Sequence, residues 1–137
     1  MDWISCKKGK FVKEVKTDKN LIVSLIKSSS KKLNSQSLLK LNNDTATSKI
    51  SLVYEALREL LEALAINNNF KIYNHECYCH FLKEVLKEDN LAKRFNNFRI
   101  LRNHINYYGK DINEEEAKIL IEDMMGFIKE IKRGLNK

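Results

Sequence analysis

Proline is absent from the 137 residues and glycine occurs only four times. A chain this poor in helix breakers favours uninterrupted helices over a turn-rich sheet. Cysteine is scarce as well: the count is three, an odd number, in a chain without export signals, and this reads as free thiols and not as a disulfide framework. Long apolar runs are missing. None approaches the ~20 residues of a membrane span, and Met1 to Lys19 alternates lysines with isolated apolar residues where a signal peptide would carry an apolar block. A cytoplasmic protein with no membrane contact is the expectation.

What is abundant is Leu, Ile, Lys, Glu and Asn. The composition predicts an all-α fold, and the length fits one domain spanning 1–137 with a core large enough to need no staple. The formal charge of +7 and a pI near 9.3 suit an anionic partner. The lysines are spread along the chain and not gathered in one tract, so a solvated basic surface explains the charge equally well.

The first stretch, "MDWISCKKGKFVKEVKTDKN", lacks helical periodicity. It reads as a leader, 1–18, that lays Trp3, Phe11 and Val15 on the body of the domain. Thr17 or Asp18 can cap a helix over about 19–41 with Leu21, Ile22, Leu25, Ile26 and Leu33 inward. Asp44 or Thr45 can cap the most strongly periodic helix, where Leu52, Val53, Ala56, Leu57, Leu60, Leu61 and Leu64 recur at three-and-four spacing until Asn67-Asn68-Asn69. Asn74 caps a third helix running to about Glu88, with Phe81, Leu82, Val85 and Leu86 inward, and a break near Asp89-Asn90 follows. Asn113 with Glu116 forms a capping-box arrangement at the start of the last helix, and Glu114 to Glu116 add negative charge at its positive end. Ala117, Leu120, Ile121, Met124, Phe127, Ile128 and Ile131 form its inward face. The sum is an antiparallel up-and-down bundle of four long helices, five if the third is counted as split.

One helical run is unusually polar. "FRILRNHINYYGKDI", Phe98 to Ile112, holds two arginines, two asparagines, a histidine and two tyrosines. On a helical wheel Leu91, Phe95, Phe98, Leu101 and Ile105 cluster, and Arg102 falls inside their arc at about 40° from Phe98. Arg99, Arg102, Asn103 and Asn106 form a stripe along that border. A guanidinium in such a place must meet a carboxylate, carbonyls, a wet cleft or an anion.

The run "LRNHINYYG" resembles the signature of HEPN domains, in which an arginine followed by a polar residue precedes a histidine by four to six intervening positions. "YEALRELLEALAINNNFKIYNHECYCHFLKE" is similar to the second helix of that family with its following loop and helix, and the leader with Trp3 and Cys6 is similar to that of small stand-alone prokaryotic members related to HepT toxins. The resemblance implies a four- or five-helix bundle that forms a homodimer and brings two arginine-histidine motifs into one cleft. It further implies a metal-independent endoribonuclease, often the toxin beside a minimal nucleotidyltransferase antitoxin, or else an inactive relative that binds RNA or nucleotide.

Two motif registers compete. Arg102-Asn103 supplies the arginine and polar neighbour but puts Tyr107 where histidine is expected; Arg99 and His104 have the spacing, but Ile100 replaces the polar residue. The wheel favours the first, since His104 lies near 240° from Phe98. Arg102 would then be the cation that stabilises a phosphorane, while a tyrosine with pKa ~10 is a poor base at pH 7 and is better suited to stacking or to donating to phosphate. Asn106, Tyr108 and Lys110 join the list of RNA or nucleotide contacts, and Gly109 suits a left-handed helix end.

"NHECYCH" invites a metal reading. Its spacing puts His75 and Cys79 on one helix face and Cys77 and His80 on another, and the position four after His75 is Cys79, so no H-E-x-x-H motif forms. Capping and packing by His75 and the cysteines is the favoured reading, with a redox role as the alternative, and no metal or other cofactor is expected.

Overall fold

Three side chains predicted to cap helices do so. In the computed structural model, which describes residues 1–136, Asp18 accepts from the Leu21 amide at 3.0 Å, Asn74 from Glu76 at 2.8 Å and Asn113 from Glu116 at 2.9 Å. Of the two candidates at the first helix, Asp18 takes the role. At the next, Thr45 holds the cap position but its hydroxyl turns away, donating to the Lys40 carbonyl at 2.6 Å and closing the preceding turn.

The described residues run α1 (Trp3–Lys8), β1 (Val12–Glu14), α2 (Lys19–Ser37), α3 (Ala46–Asn67), β2 (Phe70–Ile72), α4 (His75–His80), a π-helical turn (Phe81–Val85), α5 (Asp89–Tyr108) and α6 (Glu114–Leu135). The architecture is predominantly helical, with one two-stranded sheet. None of these helices is long and apolar enough to cross a membrane. At the centre is α3, which packs against α2 and α6 and buries Ile50, Val53, Tyr54, Leu57, Leu60, Leu61 and Leu64. Leu52, at the margin of that face, is half-buried. Buried α6 residues Met124, Phe127, Ile128 and Ile131 join the same core cluster.

α2 ends at Ser37, four residues before the expected boundary. A buried cation explains the stop. Lys49, 7% exposed, reaches from α3 and donates Nζ to the carbonyls of Gln36 and Leu39 at 2.5 and 2.7 Å. It satisfies acceptors that a continuing helix would have used and sits at the negative end of the α2 dipole.

The third predicted helix also ends early. After His80 the backbone widens into a π turn, with the Leu86 amide bonding the Phe81 carbonyl at 3.1 Å, and Lys87 adopts a positive φ of 58°. The break therefore lies at Leu86–Glu88, and Asp89-Asn90 already open α5.

The N-terminal stretch departs most from its sequence reading. Asp2 caps a short helix by accepting from Ser5 at 2.8 Å, and Val12, Lys13 and Glu14 then pair antiparallel with Ile72, Lys71 and Phe70. Trp3 is buried, edge-on to Phe70 with centroids 5.1 Å apart. Phe11 instead remains 37% exposed and Val15 half-buried, because strand alternation turns Val12 inward in their place. The three cysteines are not all free thiols: Cys6 and Cys77 form a disulfide, Cα atoms 6.0 Å apart, that ties α1 to α4. Cys79 alone keeps its thiol.

Candidate functional site

The polar stripe of α5 lies against α3 and α4. Phe95 and Phe98 are buried and anchor the helix, and Arg102, one turn beyond Phe98, is half-buried. Its guanidinium carbon lies 5.4 Å from the centroid of the Tyr54 ring, Nη2 donates to Glu55 Oε1 at 3.5 Å, and Nη1 reaches Asn103 Oδ1 at 3.5 Å. Of the four outlets for a guanidinium on an inward arc, the carboxylate is the one present, with an aromatic face added. Arg99, half-buried, donates to Asn96 Oδ1 through Nε at 3.3 Å and Nη2 at 2.8 Å, and approaches Glu76 at 3.8 Å.

The other predicted site residues are not gathered around Arg102. Tyr107 is 71% and Tyr108 80% exposed, and Asn106 and His104 also face solvent. Five residues along a helix rotate Tyr107 about 140° from Arg102, so the two do not converge within one chain. The His104 ring meets Tyr108 edge-on at 5.8 Å instead of an arginine. Gly109 takes the left-handed conformation expected of it, φ 63°, and Lys110 follows in solvent with its amide bonded to the His104 carbonyl at 3.2 Å.

What joins Arg102 comes from α3 and α4; the sequence did not single out Tyr54 or Glu55, and it read His75 only as a capping or packing residue. Tyr54 is fully buried, stacks on Phe95 with centroids 5.9 Å apart, and shares a 3.0 Å hydrogen bond between its hydroxyl and His75 Nδ1. Asn74 is the cap of α4, which frees His75 from that part and leaves its ring beside Tyr54. Glu55 also pairs with Arg58 at 3.3 Å, and Arg58 reaches Glu62 at 3.2 Å, which in turn binds Lys71 at 3.0 Å. Glu55, Arg58 and Glu62 at i, i+3 and i+7 draw a charged line along one side of α3, and that was the available signal.

Burial pushes the Tyr54 hydroxyl far above its ordinary range, so it stays protonated. Burial also lowers the pKa of His75, assisted by the positive charges of Arg58, Arg102 and Arg99 and opposed by Glu55. The imidazole is therefore neutral at pH 7.

On the other side of Arg99 and Glu76 opens a cleft of about 790 Å³ lined also by Cys79, His80, Glu84 and Asn96. His80 lies between Glu76 and Glu84 at 3.6 and 3.8 Å, and burial raises the Cys79 thiol to about 11. The residues of "NHECYCH" thus occupy separate environments: His75 against Tyr54, Cys77 in the disulfide, Cys79 against Asn96 and His80 between carboxylates. Among the described residues no group of three or more His, Cys, Asp or Glu is arranged to hold a metal ion.

No protein-family model matches this chain, and no curated protein matches it significantly.

Proposed function

We propose that this chain is a HEPN-like RNA- or nucleotide-binding protein whose phosphate-contacting face is centred on Arg102, with Arg99 and Asn103 beside it, and with exposed Asn106, Tyr107, Tyr108 and Lys110 as outlying contacts around the end of α5. The observation that carries this reading is the state of the Arg102 guanidinium. Its side chain keeps 21% of its surface exposed and meets Glu55 and Asn103 only at 3.5 Å, the long limit of a hydrogen bond, so among the described residues most of its five N–H donors have no close acceptor. A planar fork held over an aromatic ring with donors to spare is well suited to phosphate oxygens. The net charge of +7 supports the same partner.

Binding without cleavage is the form of the proposal that the geometry favours, since neither Tyr107 nor His104 stands beside Arg102. The alternative is a metal-independent endoribonuclease, the toxin of a pair with a minimal nucleotidyltransferase, which requires a homodimer in which the second copy brings its own α5 residues to the arginine. Exposed Ile100, Tyr107 and Tyr108 on one helix support such pairing.

RNA affinity measured at two salt concentrations, with cleavage followed in EDTA, tests the proposal. Binding that weakens with salt and falls at least tenfold in Arg102→Ala is expected. Unchanged affinity in Arg102→Ala would sink it, and cleavage lost in that variant would replace the binding module with the nuclease.

A further inference from the structure

We infer that His75 completes the Arg102 face as a neutral hydrogen-bond donor, its Nε2–H presented to a phosphate oxygen of the bound RNA or nucleotide. The inference rests on the reading of that face as a phosphate-binding one and assigns it a residue from a different helix.

The tautomer follows from the network. Tyr54 is fully buried, and its hydroxyl has a single partner among the described residues, His75 Nδ1 at 3.0 Å. A buried O–H that donates to nothing is costly, so the hydroxyl donates and Nδ1 accepts. A neutral imidazole that accepts at Nδ1 carries its proton on Nε2. That nitrogen has no hydrogen-bond partner among the described residues, and the ring is half-buried, not sealed.

The surroundings keep the ring uncharged. Tyr54, Glu55 and Arg58 face it from α3, Arg99 and Arg102 from α5, and Tyr78 from its own helix, so three guanidiniums stand against one carboxylate. A second proton would have to go on Nδ1, breaking the bond to Tyr54 and adding a positive charge beside the arginines.

Tyr54 joins the two halves of the arrangement. Arg102 lies over its ring at 5.4 Å, and His75 holds its hydroxyl with ring centroids 6.0 Å apart. An anion drawn to the arginines at neutral pH meets a fixed, uncharged donor. A histidine so locked is a poor proton acceptor at Nε2. That separates it from a general base and agrees with binding in preference to cleavage.

The test is long-range ¹H–¹⁵N NMR of the uniformly labelled full chain between pH 5 and 8, free and with adenosine 5′-monophosphate or a short single-stranded RNA. The expected spectrum shows the Nε2–H tautomer of His75 neutral at pH 7 and above, with ligand shifting Nε2 far more than Nδ1. A response to the mononucleotide would identify a phosphate monoester as sufficient, and a response to RNA alone would identify the diester backbone; either supports the assignment. In parallel, His75→Gln, which keeps an amide donor near the Nε2 position, should bind RNA within about threefold of wild type, while His75→Asn, which reaches only the Nδ1 position, should lose about tenfold. A protonated or Nδ1–H ring at neutral pH overturns the inference. So does wild-type affinity in His75→Asn when Arg102→Ala weakens binding, because the face then binds without His75. If Arg102→Ala binds normally as well, the phosphate-binding face itself is refuted and the role of His75 falls with it.

Discussion

The hydroxyl of Tyr54 and Nδ1 of His75, 21 residues apart in sequence, lie 3.0 Å from each other, and the guanidinium of Arg102 lies over the Tyr54 ring at 5.4 Å from its centroid. Because Tyr54 is fully buried and also stacks on Phe95, it fixes the His75 ring from inside the core while Arg102 covers the tyrosine ring from α5.

This pair makes stability depend on pH. The His75 pKa is lowered from its ordinary 6.5, so the unfolded chain binds the proton more readily than the folded one. The contribution is complete above pH 6.5 and declines as pH falls from there through the lower native value. Urea midpoints between pH 7.5 and 5 should therefore fall more steeply in wild type than in His75→Asn. Parallel curves would show that His75 is not the group responsible.

Arg102→Ala removes a cation over a ring and a weak ion pair. A cost of about 1 kcal/mol is expected from chemical denaturation. Arg102→Lys should recover less than half of it, because an ammonium lacks the planar face that lies on Tyr54. Full recovery by lysine would mean that charge alone matters there.

Cys6 and Cys77 close a loop with a sequence separation of 71. Chain entropy assigns such a closure about 4 kcal/mol, and reduction or Cys6→Ser should lower stability by about 2–4 kcal/mol. Thiol titration of the denatured, unreduced protein should count one reactive cysteine, Cys79. Three reactive thiols would contradict the pairing.

Lys49→Ala removes the donor to the Leu39 carbonyl and leaves that of Gln36 with the Leu39 amide at 3.2 Å. The expected loss is about 1–3 kcal/mol, with amide exchange accelerating first in the last turn of α2. Exchange that rises evenly over the whole chain would show that Lys49 does not hold that end.

The parts of the fold that were legible in sequence are those that depend on neighbours three or four residues away. Asp18, Asn74 and Asn113 announced their helices, and the leucine periodicity of α3 marked the segment that the others surround. The parts that were not legible depend on distant partners. Val12–Glu14 is too short to read as a strand and becomes one only by pairing with Phe70–Ile72, while Cys6 gives no hint that Cys77 will be its neighbour. The same division runs through the candidate site. The inward bearing of Arg102 could be taken from a helical wheel, whereas Tyr54, Glu55 and His75 reach it only through packing of α3 and α4 against α5. Tyr107 was expected beside Arg102 on motif spacing alone, and helix geometry carries it into solvent.

The sulfur bridge also changes what a single backbone cut can do. Between Cys6 and Cys77 lie α2, α3 and the turn that joins them at Leu38–Thr45, where Leu38 is 86% exposed. A protease that nicks this turn opens a ring and not a line. The two pieces remain one molecule until a reductant is added, and the segment bearing Tyr54 stays tethered to the segment that carries α2.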